Sequence, residues 1–404
     1  MEALLEERLS IDKTRWTLVK FGDVVFEPKE STKNPIADGI EHVVGLEHIE
    51  SEDIHLRNSA TLEEATTFTK RFSKGDVLFG RRRAYLKKAA QASFSGICSG
   101  DITVFRAKEN LLPELLPFVV QNEKFFDYAI KHSAGGLSPR VKFKDLANYE
   151  FLLPPKDQQA KLAKLLWAMD EVIERENDAL KKLESTLNSN IENEIHGISI
   201  KGKVIREILE EYSKIGELIP LINLGELLKG KGIPKTAVKE EGFPCVRYGE
   251  LYTKHHRIIR EFNSFISQED KSKSLLLKKD DVLFAGSGET ITEIGKSASF
   301  VDNIEAYAGS DTLIFRPYDM NGYYLGYLMN SQFVRQQLNK YGTGATVMHI
   351  YNSDLAKVKV PKIDKNKQIE IAKKLESISK NIFGLESKKS SSKALQKSLI
   401  NQVF

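Results

Sequence analysis

From residue 158 onward, apolar side chains recur at alternating steps of four and three: Leu162, Leu166, Met169, Ile173, Leu180, Leu183 and Leu187, then Ile191 or Ile195, with Glu176 and Asn190 as polar interruptions. This spacing predicts a heptad seam on a helix of about 36 residues, roughly 54 Å long at 1.5 Å per residue. The same period returns at Ile371, Leu375, Ile378, Ile382 and Leu385, followed by a weaker stretch through Leu395 and Leu399 that Ser390, Ser391 and Ser392 loosen. Ahead of the first seam the text is different. Residues 16 to 157 carry short β-rich runs, DVLFG, DITVFR and YEFLLP, broken by glycine and charged loops, with one inserted amphipathic helix, LPELLPFVVQNEKFFDYAI. That mixture predicts an α/β domain.

The chain is written twice. DLANYEFLLPPKDQQAKLAKLL at residues 145 to 166 returns as DLAKVKVPKIDKNKQIEIAKKL at 354 to 375, an offset of 209 that pairs Asp145 with Asp354, Gln159 with Gln368 and Ala163 with Ala372. LLEER faces ILEEY, LVKFGDVV faces LINLGELL, KGDVLFG faces KDDVLFA, and DITVFR faces DTLIFR. The offset drifts, as it does when insertions sit in surface loops. Between these islands the halves diverge: RRRAYLKKAAQ after the first DVLF has no counterpart in SGETITEIGKS after the second. The expected organisation is a first globular domain with a lead helix over 1–157, a first long helix over 158–197, a linker over 198–219, a second globular domain over 220–365 and a second long helix over 366–404. Neither helix can bury a continuous seam on its own domain, so the two pair. The fold class is α+β: two duplicated mixed α/β domains separated by two long antiparallel coiled-coil helices, a pseudo-two-fold dumbbell.

Composition narrows the chemistry. Apolar residues at 41% support ordinary cores, while 29% charged residues with a net charge of only +4 leave any attraction to a polyanion to local clusters. Cys98 and Cys245 show neither disulfide nor zinc spacing. No run is apolar enough to cross a bilayer, and MEALLEERLSIDKTR reads as an acidic amphipathic helix rather than a signal, so a soluble cytoplasmic protein without a membrane partner is expected. Catalytic motifs fail one by one. GELLKGKG places Gly232 where a phosphate loop needs Ser or Thr, AGSGET lacks the third glycine of a dinucleotide turn, and the adjacent His255 and His256 would point apart on a strand. No metal site and no catalytic residue is expected.

Basic loops are the positive signal. Lys74 precedes the first DVLF strand, and Arg81, Arg82, Arg83, Lys87 and Lys88 follow it around Tyr85. Arginine forks can grip phosphates or the two acceptors of guanine. A second loop, SAGGLSPRVKFK, adds Ser138, Arg140 and Lys142. In the second half the equivalent positions carry Ser287, Thr290 and Lys296, and then Thr343, Thr346 and His349, with Arg140 aligned to His349. Lys229, Lys231, Arg247 and Tyr248 are further candidates, beside His255, His256 and Arg257. Unlike side chains on one scaffold predict unlike half-sites in a non-palindromic duplex target, separated by about a helical turn, roughly 34 Å.

With the strands KGDVLFG and KDDVLFA, the loops GGLSPR and GTGATVMH before Asp-Leu, and the junctions LPPKDQQAKLAKLL and VPKIDKNKQIEIAKKL into long helices, the chain resembles a specificity subunit of a type I restriction-modification system. The resemblance covers essentially the whole chain. It implies two target-recognition domains separated by two antiparallel helices, and no catalysis. Loops 81–88, 135–144, 287–296 and 342–349 would approach double-stranded DNA. Helices 159–196 and 367–402 would dock two copies of an N6-adenine methyltransferase, with motor-nuclease subunits joining through the complex. S-adenosylmethionine, ATP and magnesium would then belong to those partners, and this chain would hold no cofactor. The second copy departs from the pattern where VPKI replaces the double proline. A self-sufficient DNA-modifying enzyme and a coiled-coil protein scaffold are the alternatives.

Overall fold

The computed structural model describes residues 11–62, 67–197, 202–288, 293–341 and 348–404. Most of the expected lead helix, and Thr290, Thr343 and Thr346, lie outside them. The chain forms two compact units, Met1–Asn177 with Ser387–Phe404, and Asp178–Glu386. Each is a mixed α/β lobe that contains a stretch of both long helices.

The repeated DVLF strand lies at the centre of each lobe. In the first, Val77–Gly80 pairs antiparallel with Ile102–Ala107 and Ala89–Gln91, and Val25–Phe26 completes a four-stranded sheet. Its side chains alternate between two cores: Val77 and Phe79 join Phe21, Phe105 and Phe125, whereas Leu78 joins Phe72, Ile102 and Val104. A strand covered on both faces explains why the run is apolar throughout rather than alternating. The second lobe repeats the arrangement in a five-stranded sheet, where Val282–Ala285 lies between Thr312–Pro317 and Ser297–Ser299. Val282 and Phe284 face one core, Leu283 and Ala285 the other.

The other repeated residues hold the scaffold. Asp76 is buried and takes a two-pronged bond from Arg106, at 2.7 and 2.8 Å; Asp281, also buried, takes one from Arg316 at 2.8 and 2.7 Å. Gln159, buried at the start of the first long helix, accepts from Leu112 N and donates to the carbonyls of Asn110 and Pro154. Gln368 does the same work on Asn321 N and Ile363 O. Such bonds satisfy backbone groups that a helix-domain junction would otherwise bury unpaired.

The long helices run Lys156–Ile191 and Lys365–Val403. Within the first lobe they are antiparallel, with Gln396 donating to Leu166 O and Lys388 and Ser392 reaching Glu176. Within the second, Lys374 meets Glu194 while Leu187, Ile191 and Ile195 share a core with Ile371, Leu375, Ile378 and Ile382. Of the predicted seam, Leu166, Ile173, Leu180, Leu187, Ile371 and Leu375 are buried, and Leu162, Met169, Leu183, Ile378, Ile382 and Leu385 are half-buried. The seam is not a free-standing zipper, since its ends merge into the cores of the lobes.

Two local expectations need correction. The inserted helix of the first lobe is two helices, Leu116–Val120 and Glu123–Lys131, because Asn122 accepts from Lys124 N and starts a new one. Ser390, Ser391 and Ser392 do not loosen the second long helix; Ser391 bonds back to Ser387 O and the helix continues. The linker contains a helix, Ile205–Ile215, whose Ile208 and Tyr212 enter the second core. The first long helix ends in a π-turn, Glu192–His196, closed by Gly197 at φ +64°. Among the described residues no helix is long and apolar enough to cross a membrane.

Candidate nucleic-acid interface

At the end of the first DVLF strand the chain leaves Gly80 and is fastened to two other segments. Arg81 N donates to Asp101 O at 3.0 Å, Val141 N to Arg81 O at 3.0 Å, and Arg83 N to Pro139 O at 2.8 Å. Arg82 and Arg140 consequently stand opposite one another in an antiparallel bridge. Both turn to one carboxylate: Arg82 Nη1 donates to Asp101 Oδ2 at 3.2 Å and Arg140 Nε to Oδ1 at 2.8 Å, while Arg82 Nη2 reaches Ser138 Oγ at 3.1 Å. Partial burial alone would raise the Asp101 pKa, but the bonds from Arg140 and Arg82 outweigh it and hold the carboxyl below its ordinary value. A single anion therefore orders two half-exposed guanidinium groups, of which Arg82 keeps its Nε buried without a partner.

Around this cluster, Arg83 and Lys87, both left-handed at φ +55° and +49°, bracket a tight turn that leaves Tyr85 and Leu86 exposed. The other predicted cations go elsewhere. Lys87 meets Glu52 and Glu123, and Lys88 donates to Leu46 O. Lys142 is exposed at the start of the short helix Phe143–Leu146. Lys74 precedes the strand that Arg82 follows, so the two stand at opposite ends of Val77–Gly80. Asp101 escaped the sequence reading, although its repeat partner Asp311 marked the position. Leu137, at 98% exposure on the Gly135–Gly136 loop, gave no periodic signal at all.

The second lobe reproduces the backbone and replaces the chemistry. Gly286 N donates to Asp311 O and Ile350 N to Gly286 O, each at 3.0 Å. Ser287 pairs with His349 where Arg82 pairs with Arg140, and Ser287 Oγ lies 3.0 Å from His349 Nδ1. His349 stacks on exposed Tyr351. Lys229, Lys231 and Arg247 come to another corner. Gly230 packs so closely on Gly309 that a Cβ there would stand 2.0 Å from its carbonyl oxygen, and Gly309 in turn abuts Arg247. Tyr248 lies edge-on to Tyr252, over whose ring Lys296 also sits. His255 is buried beside Arg257.

Comparison with known proteins follows the same duplication. The family model for the type I restriction modification DNA specificity domain matches residues 14–185 and again 210–392. The type I restriction enzyme MjaVIII specificity subunit of Methanocaldococcus jannaschii is 24% identical over 294 residues, 70% of this chain and 67% of that protein. The EcoDI specificity subunit of Escherichia coli is 27% identical over 180 residues, 43% of this chain and 40% of that one. Among solved structures, the type I S subunit from M. genitalium superposes with a TM-score of 0.59 at 13% identity, covering 99% of this chain and 98% of that one. A chain of a solved type I R-M system gives 0.55 at 20% identity and covers 96% of each. At such identities the structural likeness speaks to the fold alone.

Proposed function

The chain belongs to the type I restriction-modification DNA specificity family, and from that premise we propose that each lobe reads one half of a bipartite, asymmetric duplex while the long helices dock two N6-adenine methyltransferase subunits. As a specificity subunit it is the non-catalytic component of its system. S-adenosylmethionine, and the ATP and magnesium of a motor-nuclease, would be held by partners in the cytoplasm. The observation that carries the reading is the shared bridge with unlike occupants: Arg82 and Arg140 in one lobe, Ser287 and His349 in the other. Arginine forks suit the O6 and N7 acceptors of guanine, and a serine-histidine pair offers a mixed donor and acceptor face. One scaffold therefore presents two different base-reading surfaces.

Docking is supported by apolar side chains on the outer faces of the helices. Leu165 and Val172, one heptad apart, are exposed on the first, and Phe383 and Leu395 on the second. Mapping N6-methyladenine in the host genome with and without this chain tests the proposal. A bipartite motif should vanish when the chain is removed. An unchanged methylation pattern would rule the assignment out.

A further inference from the structure

Of the large apolar residues among the described ones, Leu137 is the most exposed, at 98%. Single apolar side chains on a soluble surface are ordinary and carry no meaning alone. This one stands at the tip of a closed loop. Ala134 and Arg140 exchange both backbone bonds, each at 2.9 Å, and Leu137 lies midway between them in sequence. Gly135 turns the chain at φ +118°, where a side chain would be strained, and a Cβ on Gly136 would meet nothing within 4 Å. The closure of the loop presents its tip to solvent.

The foot of the same loop is the arginine bridge. Arg82 stands opposite Arg140, its Nη2 donates to Ser138 Oγ at 3.1 Å, and Arg83 N donates to Pro139 O at 2.8 Å. An apolar tip therefore projects from a cationic foot, and these bonds tie the two together. Three residues reach at most about 10 Å, roughly three base pairs at about 3.4 Å each. Where arginine forks take guanine acceptors in the major groove, the tip meets the same groove, whose apolar feature is the 5-methyl group of thymine. Insertion between bases is the other use of an exposed leucine, but unstacking a step costs about as much as burying the side chain returns. Contact with a methyl group needs no unstacking.

We propose that Leu137 is a specificity-determining residue of the first lobe, packing on the 5-methyl group of a thymine within about three base pairs of the position read by Arg82 and Arg140. The assignment deepens the reading that this lobe lies on duplex DNA, and rests on it. The contact discriminates in two ways. Thymine brings a methyl group whose burial is worth about 0.8 kcal/mol, or about fourfold in affinity. Cytosine at the same place lacks the methyl and brings an amino donor that the leucine would strip of water.

The test uses the complex of this chain with its methyltransferase partner on a duplex carrying the mapped motif. Each thymine of both half-sites is replaced in turn by uracil, which differs only in lacking the methyl group. One replacement, in the half-site whose preference Arg140→Ala relaxes, should weaken wild-type binding about fourfold and Leu137→Ala binding less than about 1.5-fold. Leu137→Met, which keeps an apolar side chain of similar reach, should retain most of the wild-type sensitivity. Leu137 is almost wholly in solvent, so neither substitution disturbs the fold. Equal losses in wild type and Leu137→Ala at every thymine would overturn the proposal, as would a sensitive thymine in the other half-site. The fluorescent base 2-aminopurine, placed through the first half-site, separates contact from insertion. A rise in its emission on binding by the wild type and not by Leu137→Ala would put the side chain inside the stack and overturn the methyl contact. So would weaker methyltransferase association by Leu137→Ala without DNA, which would assign the residue to a protein contact. A wild-type complex with no motif preference would instead overturn the functional reading beneath the proposal.

Discussion

At the end of the first DVLF strand, Asp101 gathers Arg82 and Arg140 around one carboxylate; at the equivalent place in the second lobe, Ser287 and His349 share a hydrogen bond with each other and Asp311 stands exposed with a left-handed backbone, φ +60°. The backbone bonds that present these pairs are the same in both lobes. What the two copies retain lies one layer deeper, in the ion pairs Asp76–Arg106 and Asp281–Arg316 and in the buried glutamines at the helix junctions. At the bridge the side chains change while the backbone bonds and the buried ion pairs beneath them are kept, so the scaffold can carry a new reading surface without refolding.

The largest effect should come from breaking what the lobes share. Asp281 is completely buried and pairs with an arginine that is itself mostly covered, so Asp281→Ala should cost the second lobe about 3–5 kcal/mol by stranding that charge. Asp76→Ala should cost the first lobe less, because Arg106 keeps Glu30 at 2.8 Å and is more exposed. Urea denaturation followed by hydrogen exchange in each lobe measures both. Losses under about 1 kcal/mol in either would show that the repeated Asp and Arg are not what holds the strands.

The next effect separates the lobes. Arg140→Ala should cost about 1–3 kcal/mol of binding and relax base preference in one half-site only, with Ser287→Ala or His349→Ala acting on the other. Asp101→Asn keeps the size but removes the charge that orders both arginines, and should blur the first half-site while nonspecific affinity is kept or raised. Methylation of duplex libraries randomised in one half at a time checks all four. Spread of any single effect over both halves would break the one-lobe, one-half-site assignment.

Repetition explains how much of this was legible. The offset that paired Arg140 with His349 placed them correctly, because each lies a fixed distance before a buried turn, Val141 or Ile350, that is tied to the residue after the strand. The strands, the helix pair and the duplicated architecture were readable for the same reason. Asp101 was not, since nothing local says that a carboxylate 39 residues from Arg140 will turn to it. Clustering in sequence does not give partners either: Lys87 and Lys88 sit among the arginines, and the left-handed turn directs them to Glu52, Glu123 and a carbonyl.

Acidity should pull the lobes apart in stability. In the first lobe His55 is raised above 6.5, chiefly by its bond to Asp170, so that contribution is full below 6.5 and fades as pH rises through the folded value. In the second lobe burial pushes His196 down to about 3 and lowers His255, so stability is present above 6.5 and declines as pH falls from there toward 3. Glu192, 3.5 Å from His196, is itself pushed up by burial and makes a poor counter-charge. Going from pH 7.5 to 5.5 should weaken the second lobe by on the order of 2 kcal/mol, from up to about 1.4 kcal/mol per pH unit for each histidine. The first lobe should hold or tighten. Both tryptophans, Trp16 and Trp167, lie in the first lobe, so their fluorescence follows that lobe alone while exchange, corrected for intrinsic rate, follows the second. Parallel loss in both would contradict the contrast.

The smallest effect concerns the seam itself. In the first lobe it is interrupted by Glu176, which is buried, meets Lys388 at 3.6 Å and Ser392 at 3.3 Å, and leaves Oε2 without a partner. In the second, Leu187, Ile191, Ile371 and Leu375 close an apolar seam. Two long contacts do not repay the removal of a carboxylate from water, whereas leucine at this position would extend the heptad. Glu176→Leu should therefore leave the first lobe unchanged or stabilise it by less than about 1 kcal/mol, and the tryptophan-detected urea midpoint measures that directly. A loss beyond 1 kcal/mol would mean that the bond to Lys388 is worth more than its length allows. A polar residue kept at such a site fits a role in register rather than stability, and then Glu176→Leu would alter the spacing of the methylated motif while the midpoint stayed where it was.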